Sequence, residues 1–357
     1  MVWVRSLEVH DLRNITEARL ELEVGLNVFR GRNAQGKTTL LEAVGLLARG
    51  RSFRTEDTAS LIRWGTAGSR ARGVAVGEGR DAQLEIELEP KSRRLRVDGQ
   101  EVAPRHYQGR LEVVVYSTDR LRVVRGSMRD RRQYLDRGGA ALWPAYRQAA
   151  RDYERVMLQR NAALEAGSRD LPAWNEHFLE LGAQLRTRRR AYVERLQAEL
   201  GRGFSPRAEV YGIELLPDHR GPGEEEQRAA LARELQEWLP QERRARRSLV
   251  GPHRDKVRLT VDGEEAGATA SSGQARSLLL ALTLATLAVY RAETGGSAVA
   301  LLDDLDSELD EERASLICQE VAARGQALIT TAHAGWAEGL GSWGRLFDVA
   351  GGEVRSA

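Results

Sequence analysis

A glycine-rich loop near the amino terminus has residue types and spacing suited to binding phosphates. In GRNAQGKTT, Gly31 to Thr39, the glycines let the backbone approach phosphate oxygens closely. Lys37 can reach the β- and γ-phosphates of a nucleotide, and Thr38 can offer its hydroxyl to Mg²⁺. The residues predicted to line this contact are Gly31, Arg32, Asn33, Ala34, Gln35, Gly36, Lys37, Thr38 and Thr39.

Two acidic residues follow an apolar stretch near the other end of the chain, in AVALLDDLDSELD. Asp303 comes directly after the strand-like run and suits the coordination shell of Mg²⁺, whereas Asp304 can orient or deprotonate an attacking water. The pair could instead cap the next helix, but Asp306, Ser307 or Asp310 would serve better as caps. Loop and acids together predict a site that hydrolyses a Mg²⁺-bound nucleotide.

The elements around these residues predict an α/β domain with a helical insertion. Strand patterns in SLEVHDL, ARLELEV and LNVF precede the loop, and the helix TTLLEAVGLLARG ends at Gly50, a suitable C-cap. Further strands are predicted at ARGVAV, AQLEIEL, LEVVVYS and RRLRVDGQEV, the last with a hairpin turn at Asp98-Gly99. Strands and helices that alternate in the final third of the chain predict a parallel sheet covered on both faces.

Between these α/β parts, the sequence has long helical periodicity and many arginines. Aromatic and leucine residues recur at three- or four-residue steps on both sides of EAGSRDLP, which predicts two antiparallel helices packed together. We therefore predict a nucleotide-binding core of residues 1–116 and 248–357, and a helical lobe or arm of residues 117–247.

Composition narrows the class of protein. Charged residues are 30% of the chain but the formal net charge is only +2, so any contact with nucleic acid must come from local clusters. The single cysteine excludes an internal disulfide, and the scattered histidines argue against structural zinc. No apolar run approaches the ~20 residues of a membrane span, and no secretory signal is visible, so we expect a cytoplasmic protein without membrane contact.

A segment between the loop and the acidic pair, ASSGQARS, opens a long apolar helix. Alone, it predicts only a turn at a helix start, although a serine there suits a γ-phosphate. Taken with the loop and the acids, it resembles the LSGGQ signature of the ATP-binding-cassette (ABC) ATPases. The resemblance implies that ATP lies between two subunits and that the signature loop of one contacts the nucleotide of the other. The matching residues are Ser271, Ser272, Gly273 and Gln274.

Two more segments are similar to ABC motifs. DSELD occupies the place of the D-loop, which implies that Ser307 and Asp310 lie near the dimer interface. His333 follows ALITTA at the position of the switch histidine that senses the γ-phosphate, although a histidine at a strand end is more often structural. The glutamine of the Q-loop is not evident after VVVYS, where Ser117 stands.

Other stretches resemble the SMC and RecF group of DNA-acting ATPases. EVHDLRNITEARLEL is similar to the opening of that group, where the basic residue at the position of Arg13 reaches toward the nucleotide phosphates. RSFRT, DRLRVVRGSMRDRRQYLDR and VGPHRDK are similar to elements of the RecF family. The resemblance extends from the first strand to the last. It implies an ABC-type P-loop ATPase head with a mixed sheet and an inserted helical arm.

The resemblance also implies a function in recombinational DNA repair. ATP would join two copies into a homodimeric clamp on duplex, gapped or junction DNA. Weak, DNA-stimulated ATP hydrolysis would release the clamp, and RecO, RecR and RecA would be partners in the pathway. An alternative is the ATPase subunit of an ABC transporter, which the absence of a Q-loop glutamine and the large arginine-rich lobe disfavour.

Clusters of arginines are the candidate DNA contacts that the residues themselves offer. Arginine-rich helices are, however, also commonly solvated or ion-paired. The clusters are Arg120, Arg122, Arg125, Arg129, Arg131 and Arg132; Arg186, Arg188, Arg189 and Arg190; and Arg243, Arg244, Arg246 and Arg247.

Overall fold

A computed structural model of the chain describes residues 1–77, 79, 81–203, 208–216, 223–305 and 311–357. The predicted D-loop residues Ser307 and Asp310 lie outside the described residues. The chain forms two compact units, Met1–Arg120 with Thr286–Ala357, and Leu121–Ala285.

The strands are β1 (Trp3–Leu12), β2 (Ile15–Glu21), β3 (Leu26–Arg30), β4 (Ser69–Val76), β5 (Ala82–Glu89), β6 (Ser92–Val97), β7 (Gln100–Glu101), β8 (Val113–Tyr116), β9 (Tyr211–Leu216), β10 (Lys256–Val261), β11 (Glu264–Glu265), β12 (Val299–Leu302), β13 (Ala327–Thr331), β14 (Gly344–Ala350) and β15 (Glu353–Ser356). The helices are α1 (Lys37–Arg49), α2 (Pro104–Tyr107), α3 (Arg122–Arg125), α4 (Met128–Leu142), α5 (Pro144–Ala166), α6 (Leu171–Leu200), α7 (Glu224–Ala245), α8 (Ala266–Thr269), α9 (Ser272–Thr294), α10 (Glu311–Arg324) and α11 (Ala334–Gly341).

The first unit contains two sheets. One has the strand order β15-β14-β3-β13-β12-β8, and its neighbours are parallel except for β15, which is antiparallel to β14. The other is antiparallel, in the order β2-β1-β4-β5-β6-β7. Its predicted hairpin turn at Asp98-Gly99 is confirmed, because both residues have the positive φ angles, 50° and 78°, that such a turn requires. The predicted mixed α/β architecture is likewise confirmed.

Helix α1 shares one hydrophobic core with strands of both sheets. Every residue from Thr39 to Ala48 is buried. A helix enclosed on all sides is expected to be mostly apolar, as TTLLEAVGLLAR is, and the buried Glu42 within it is paired with Arg13. The predicted C-cap is also confirmed, since Gly50 has a φ of 66° and donates its N–H to the carbonyl of Leu46 at 2.7 Å.

The second unit has its own core, formed where α5, α6 and α7 meet. Helices α5 and α6 flank residues 167–170, which confirms the predicted pair of packed helices. A three-stranded sheet, β11-β10-β9, belongs to the same unit. The unit therefore includes residues 248–285, which we assigned to the nucleotide-binding core, because β10 pairs with β9 from Lys256↔Leu216 to Val261↔Tyr211. Such long-range pairing has no signal in the sequence of either strand.

Buried ion pairs hold the middle of α6 in the second unit. Arg186 contacts Asp255 at 2.7 Å and Glu234 at 3.0 Å. Arg189 contacts Asp136 at 2.9 Å and the other oxygen of Asp255 at 3.2 Å. Asp255 thus contacts both guanidinium groups, and its loss would leave each buried arginine with only a partly exposed carboxylate partner. Arg186 and Arg189 therefore belong to ion pairs inside the second unit, as arginines on arginine-rich helices commonly do.

The VGPHRDK segment packs against α5 and α6 through a histidine and a glycine. Tyr153 Oη lies 2.6 Å from Nδ1 of His253, whose Nε2 is 3.3 Å from the carbonyl oxygen of Ser248. Gly251 has a φ of 119°, and a Cβ there would lie 2.7 Å from both Phe178 Cζ and Tyr153 Oη, so only glycine fits. Burial lowers the pKa of His253 to about 4, so the imidazole is neutral at physiological pH.

We expect the second unit to lose stability between pH 6.5 and pH 4. In the unfolded chain His253 binds a proton near its ordinary pKa of 6.5, whereas its folded pKa is about 4. The stabilisation is therefore complete above pH 6.5 and is lost as the pH falls, by about 2 kcal/mol at pH 5. Denaturant unfolding at pH 7.5 and pH 5 measures the loss. His253→Gln, which cannot titrate, should lose about 2 kcal/mol less than wild type; equal losses would contradict the assignment.

Helix α9 is long and apolar enough to cross a membrane by length and composition alone. Half of its most apolar window is buried inside the protein. The expectation that no apolar run approaches the length of a span therefore needs correction, although a core helix of a water-soluble protein has the same properties.

Candidate nucleotide-binding site

The carboxyl ends of three neighbouring parallel strands bring the predicted site residues together. Strand β3 leads into the glycine-rich loop, β12 leads into Asp303, and β13 lies between them. The register places Arg30 opposite Thr331 and Leu302 opposite Ile329, so the strands end at the same edge. This edge is where open α/β sheets bind their ligands. Sheet order thus joins two motifs that are about 265 residues apart in the chain.

Both glycines of the loop are required, Gly31 by a close backbone contact and Gly36 by its backbone conformation. A Cβ at Gly31 would lie 2.1 Å from the carbonyl oxygen of Val349. Gly36 has a φ of 114°, and a Cβ there would lie 3.2 Å from Ile15 Cγ1. Ala34 also has a positive φ, 65°.

The remaining loop residues face outward or contact the last hairpin. Arg32, Asn33 and Ala34 are exposed. Gln35 accepts a hydrogen bond from the N–H of Gly351 at 2.6 Å and donates to the carbonyl of Asn33 at 3.3 Å.

The start of α1 is suited to an anion. Gly36, its N-cap, has no side chain to bond the first N–H groups, and the first turn contains no acidic residue. These N–H groups and the positive end of the helix dipole are the usual partners of a phosphate. Lys37 Nζ donates to the carbonyl oxygens of Gly31 at 2.6 Å and Arg32 at 2.9 Å, which holds the ammonium group on the loop. The N–H groups, the helix dipole and the lysine together suit the phosphates of a nucleoside triphosphate.

Asp303 is held by two threonine hydroxyls. Thr38 Oγ1 donates to Asp303 Oδ1 at 2.9 Å, and Thr330 Oγ1 donates to the same oxygen at 2.7 Å. Hydroxyl and carboxylate oxygens are suitable ligands for Mg²⁺. Among the described residues no group of three or more His, Cys, Asp or Glu side chains could hold a metal ion. Thr38 and Asp303 would therefore bind Mg²⁺ together with phosphate and water oxygens, and the bound ion would neutralise charge on the phosphates.

The protonation of Asp303 depends on opposing influences. Burial raises its pKa above the usual value, and neighbouring Asp304 adds to this. The hydroxyls of Thr330 and Thr38 and the guanidinium of Arg54 act in the opposite direction. A divalent cation on this carboxylate would favour its ionised form.

Asp304 and His333 occupy the same edge of the sheet. The N–H of Asp304 donates to Thr330 Oγ1 at 2.9 Å, and its φ of 56° is left-handed. His333 is exposed at the N-cap of α11, directly beyond β13, and its N–H donates to Thr331 Oγ1 at 2.9 Å. Both positions are compatible with the predicted roles at a γ-phosphate, which stay predictions.

Arg13 is held by a carboxylate of helix α1. Its Nε lies 2.5 Å from Glu42 Oε2 and its Nη2 lies 2.9 Å from Oε1. Glu42 is fully buried in α1. The predicted contact of Arg13 with nucleotide phosphates stays a prediction, and the structure adds Glu42 as the group that orients it.

Sequence reasoning missed Asn14 and Thr330 as well as Glu42. Asn14 Nδ2 donates to the carbonyl of Ala34 at 3.1 Å, and its Oδ1 accepts from Thr39 Oγ1 at 3.1 Å, so it links the middle of the loop to the first turn of α1. Thr330 orients both residues of the acidic pair. In the sequence, the only signals for these residues were that Asn14 directly follows Arg13 and that Thr330 lies at the end of a predicted strand.

The signature residues form the start of α9 in the second unit. Gln274 N–H donates to Ser271 Oγ at 3.2 Å, and Ser271 N–H donates to Gln274 Oε1 at 2.9 Å, which is a reciprocal capping box. Ser271 and Ser272 are exposed, and Gly273 and Gln274 are half-buried. Arg125 Nη2 donates to the carbonyl of Ala270 at 3.1 Å. The match to the ABC signature is therefore an exposed helix start.

The arginine clusters differ in how far their side chains are buried. Arg120, Arg131, Arg186 and Arg189 are buried and bonded to carbonyl or carboxylate oxygens, so they are unsuited to contacting DNA. The third cluster is exposed, and its side chains form no hydrogen bond or ion pair with the part of the chain that the structure describes. Its members are Arg243, Arg244, Arg246 and Arg247.

Residues 3–353 match the model of the RecF/RecN/SMC N terminal domain family. The chain is 33% identical over 364 residues to the DNA replication and repair protein RecF of Myxococcus xanthus (strain DK1622), covering 98% of this chain and 96% of the relative. It is 35% identical to RecF of Acidothermus cellulolyticus, covering 93% and 94% of the two chains. The chain belongs to the RecF family of ABC/SMC-type ATPases. The resemblance found in the motifs is thereby confirmed.

Solved structures of similar proteins have the same fold as this RecF-family chain. The structure described as the recombination mediator protein RecF-ATP in the RecFOR pathway has a TM-score of 0.90 and 26% identity, and covers 100% of this chain and 99% of that chain. An Smc head domain from Pyrococcus furiosus has a TM-score of 0.61 with 14% identity over 100% and 96% of the two chains, which shows a shared fold. The predicted ABC-type head with a helical lobe is confirmed.

Proposed function

We propose that this chain is an ATP-dependent DNA-binding protein of recombinational repair, and that the site described above binds and hydrolyses ATP. The observation that carries the proposal is the contact of Thr38 with Asp303 beside the uncapped start of α1. In the proposed roles, Lys37 and the loop bind the phosphates, and Asp304 orients the attacking water. His333 senses the γ-phosphate. A similar RecF structure described as RecF-ATP supports ATP as the ligand.

ATP binding in this proposal joins two copies of the chain. Ser271 and Gln274 stand at an exposed helix start, where N–H groups favour an anion. The family resemblance assigns this start to the nucleotide of a partner copy. Light scattering with and without ATP and Mg²⁺ tests the proposal. A monomer at micromolar concentration with ATP and duplex DNA present would exclude it.

The DNA contact is proposed to include the exposed end of α7. Leu239 of α7 packs with Leu164 of α5 and Leu171 of α6, so three helix ends lie together. Arg169 is exposed at the same end. We call this end the α7 basic surface; it consists of Arg169, Arg243, Arg244, Arg246 and Arg247. Exposed arginines without carboxylate partners are suited to phosphate contacts with duplex, gapped or junction DNA.

Removing charge from the α7 basic surface should weaken binding to duplex DNA. It should also make the affinity for DNA depend less steeply on salt. Replacing Arg243, Arg244, Arg246 and Arg247 by Gln should lower the slope of log affinity against log salt by up to about 3–4, because each phosphate contact contributes about 0.9. Titrations at several salt concentrations measure the slope.

A charge-matched control uses four surface arginines that already pair with carboxylates: Arg5, Arg19, Arg94 and Arg355. Their replacement by Gln should change the slope by less than about 1. If both variants lost affinity equally, net charge rather than the α7 basic surface would account for the effect.

Hydrolysis is proposed to be weak, stimulated by DNA, and to open the clamp. RecO and RecR are proposed partners, supported by the RecFOR pathway named for the similar structures, and RecA loading at gaps is the proposed outcome. A cytoplasmic location is proposed with this function. RecA loading on gapped DNA, measured with RecO and RecR and with or without this chain, tests the pathway role.

A further inference from the structure

The segment DRLRVVRGSMRDRRQYLDR brings an arginine to the signature residues of the second unit. Arg125, the last residue of α3, donates from Nη2 to the carbonyl of Ala270 at 3.1 Å and to Ser272 Oγ at 3.5 Å. These two partners directly precede and follow Ser271, and Arg125 is exposed. A guanidinium group therefore lies beside the serine that is proposed to meet a partner's nucleotide.

The backbone on which Arg125 stands is fixed by the residues around it. A Cβ at Gly126 would lie 2.4 Å from the carbonyl oxygen of Arg122, so the chain can turn here only with glycine. Ser127 and Asp130 then form a capping box at the start of α4, in which the N–H of Ser127 donates to Asp130 Oδ2 at 2.8 Å. Arg125 thus extends from a tight, well-defined turn between α3 and α4.

A buried arginine of the same segment joins α3 to the strands that precede the signature residues. Arg131 is 3% exposed, and its Nη2 donates to the carbonyl of Val124 at 2.8 Å. Its Nη1 donates to the carbonyl of Val257 in β10 at 2.8 Å and to Glu265 in β11 at 2.6 Å. A buried group bonded in several directions holds its neighbours in one arrangement.

Close packing also fixes the segment that leads into the signature residues. A Cβ at Gly267, in α8, would lie 2.5 Å from Arg131 Nη2 and 3.2 Å from the carbonyl oxygen of Val124, so α8 lies directly against α3. Tyr134 of α4 donates from Oη to the carbonyl of Leu282 in α9 at 2.8 Å. The position of Arg125 beside the start of α9 is therefore set by packing within the second unit.

Arg125 has hydrogen-bond donors to spare. Within the described residues only its Nη2 donates, so the N–H groups of Nε and Nη1 are available to an anion. Arg122, on the same helix, instead lies 4.0 Å from the carboxylate of Asp130. A guanidinium group without a carboxylate partner is well suited to phosphate oxygens, which it can bind through two donors.

We propose that Arg125 contacts the triphosphate of a partner copy, beside Ser271, and completes the nucleotide site from the partner's side. Nε and Nη1 bind phosphate oxygens, while Nη2 stays on the carbonyl of Ala270. The positive charge offsets the charge that the phosphates bring to the interface between the copies. This inference rests on the proposed pairing of two copies by ATP, and it assigns Arg125 to the nucleotide rather than to DNA.

The first test compares Arg125→Gln and Arg125→Lys with wild type. Light scattering measures ATP-dependent pairing, and turnover and the affinity of the single copy for a fluorescent ATP analogue are measured separately. Duplex DNA is kept at a saturating concentration in the pairing and turnover assays, so that a change in DNA affinity does not enter. Arg122→Gln, which removes an exposed arginine from the same helix, is the matched control, and circular dichroism verifies folding.

Arg125→Gln should weaken pairing and lower turnover by about tenfold to a hundredfold, the scale of a lost charge-assisted hydrogen bond. Affinity for the analogue should stay within about threefold of wild type, because the glycine-rich loop of the same copy is unchanged. Arg125→Lys keeps the charge without the planar fork, so it should recover part of the pairing and turnover. Arg122→Gln should behave as wild type.

Mixing two defective variants tests whether Arg125 acts on the nucleotide of the other copy. In a dimer of Lys37→Met with Arg125→Gln, one site combines both defects, and the other has an intact glycine-rich loop and an intact Arg125. An equal mixture should recover up to about a quarter of wild-type turnover, since half of randomly formed dimers are mixed and each has one intact site. An Arg125 that served the nucleotide of its own copy would give no recovery.

A double variant separates phosphate contact from support of the signature residues. If Arg125 only held Ala270 and thereby oriented Ser271, its loss would have no effect once the serine hydroxyl is removed. A direct phosphate contact does not need that hydroxyl, so Arg125→Gln should still weaken pairing about tenfold in a Ser271→Ala background. Pairing equal to that of Ser271→Ala alone would overturn the proposed contact.

Two other results would overturn the contact alone. One is wild-type pairing and turnover in Arg125→Gln, and the other is a mixture with Lys37→Met that recovers no turnover. A wild-type chain that does not pair with ATP would instead overturn the proposed function, and the contact with it. If Arg125→Gln failed to fold, Arg125→Ala would carry the same comparisons.

Discussion

Lys37→Met is expected to abolish nucleotide binding and leave the chain folded. Lys37 Nζ is held on the loop by the carbonyls of Gly31 and Arg32, where it can meet a phosphate. Methionine fills a similar volume without the charge. Loss of charge-assisted hydrogen bonds worth about 1.5–3 kcal/mol each corresponds to at least a hundredfold loss of affinity. Titration with a fluorescent ATP analogue measures this loss.

Lys91→Met is the matched control, because Lys91 is an exposed lysine in the turn between β5 and β6. It should bind the analogue as wild type does. An affinity of Lys37→Met within threefold of wild type would remove the glycine-rich loop from the nucleotide site.

Ser271→Arg is expected to leave ATP binding intact and to block both pairing and hydrolysis. Ser271 is exposed at the start of α9, so a long side chain there is tolerated by the single copy but obstructs a partner's nucleotide. Light scattering should show a monomer with ATP present, and turnover should fall by about a hundredfold, the scale of losing about 2.7 kcal/mol of transition-state stabilisation. Affinity for the ATP analogue should stay within threefold of wild type.

Ser271→Asp separates phosphate contact from helix capping. Aspartate is as good an N-cap as serine, so the capping box with Gln274 is retained. Its negative charge repels a γ-phosphate, and the variant should also remain a monomer with ATP. Normal pairing of either variant would mean that this helix start does not contact a partner's nucleotide.

Local signals in the sequence predicted much of the fold and the centre of the site. The strand patterns, the glycine-rich loop, the helix end at Gly50 and the turn at Asp98-Gly99 were all found from short-range spacing. They were predictable because glycine conformation and apolar periodicity depend on neighbouring residues. Asp303 was found in the same way, from its place directly after an apolar strand.

Residues that support the site were not predictable. Thr330 and Glu42 become important only because sheet order and the course of α1 bring them to Asp303 and Arg13. Arg54 likewise meets Asp119 from a distant loop. No spacing rule connects such positions, since each contact depends on how separate elements pack.

The arginines show the same division between sequence and tertiary structure. The sequence by itself determined that the chain carries clustered arginines, a phosphate-binding loop and an acidic pair. Only the tertiary structure decided that Arg186 and Arg189 are buried against Asp255, whereas Arg243 and Arg244 face solvent. The physical reason is that the free energy of a charge depends on its burial and its partners, and both are set by long-range packing rather than by neighbours in the chain.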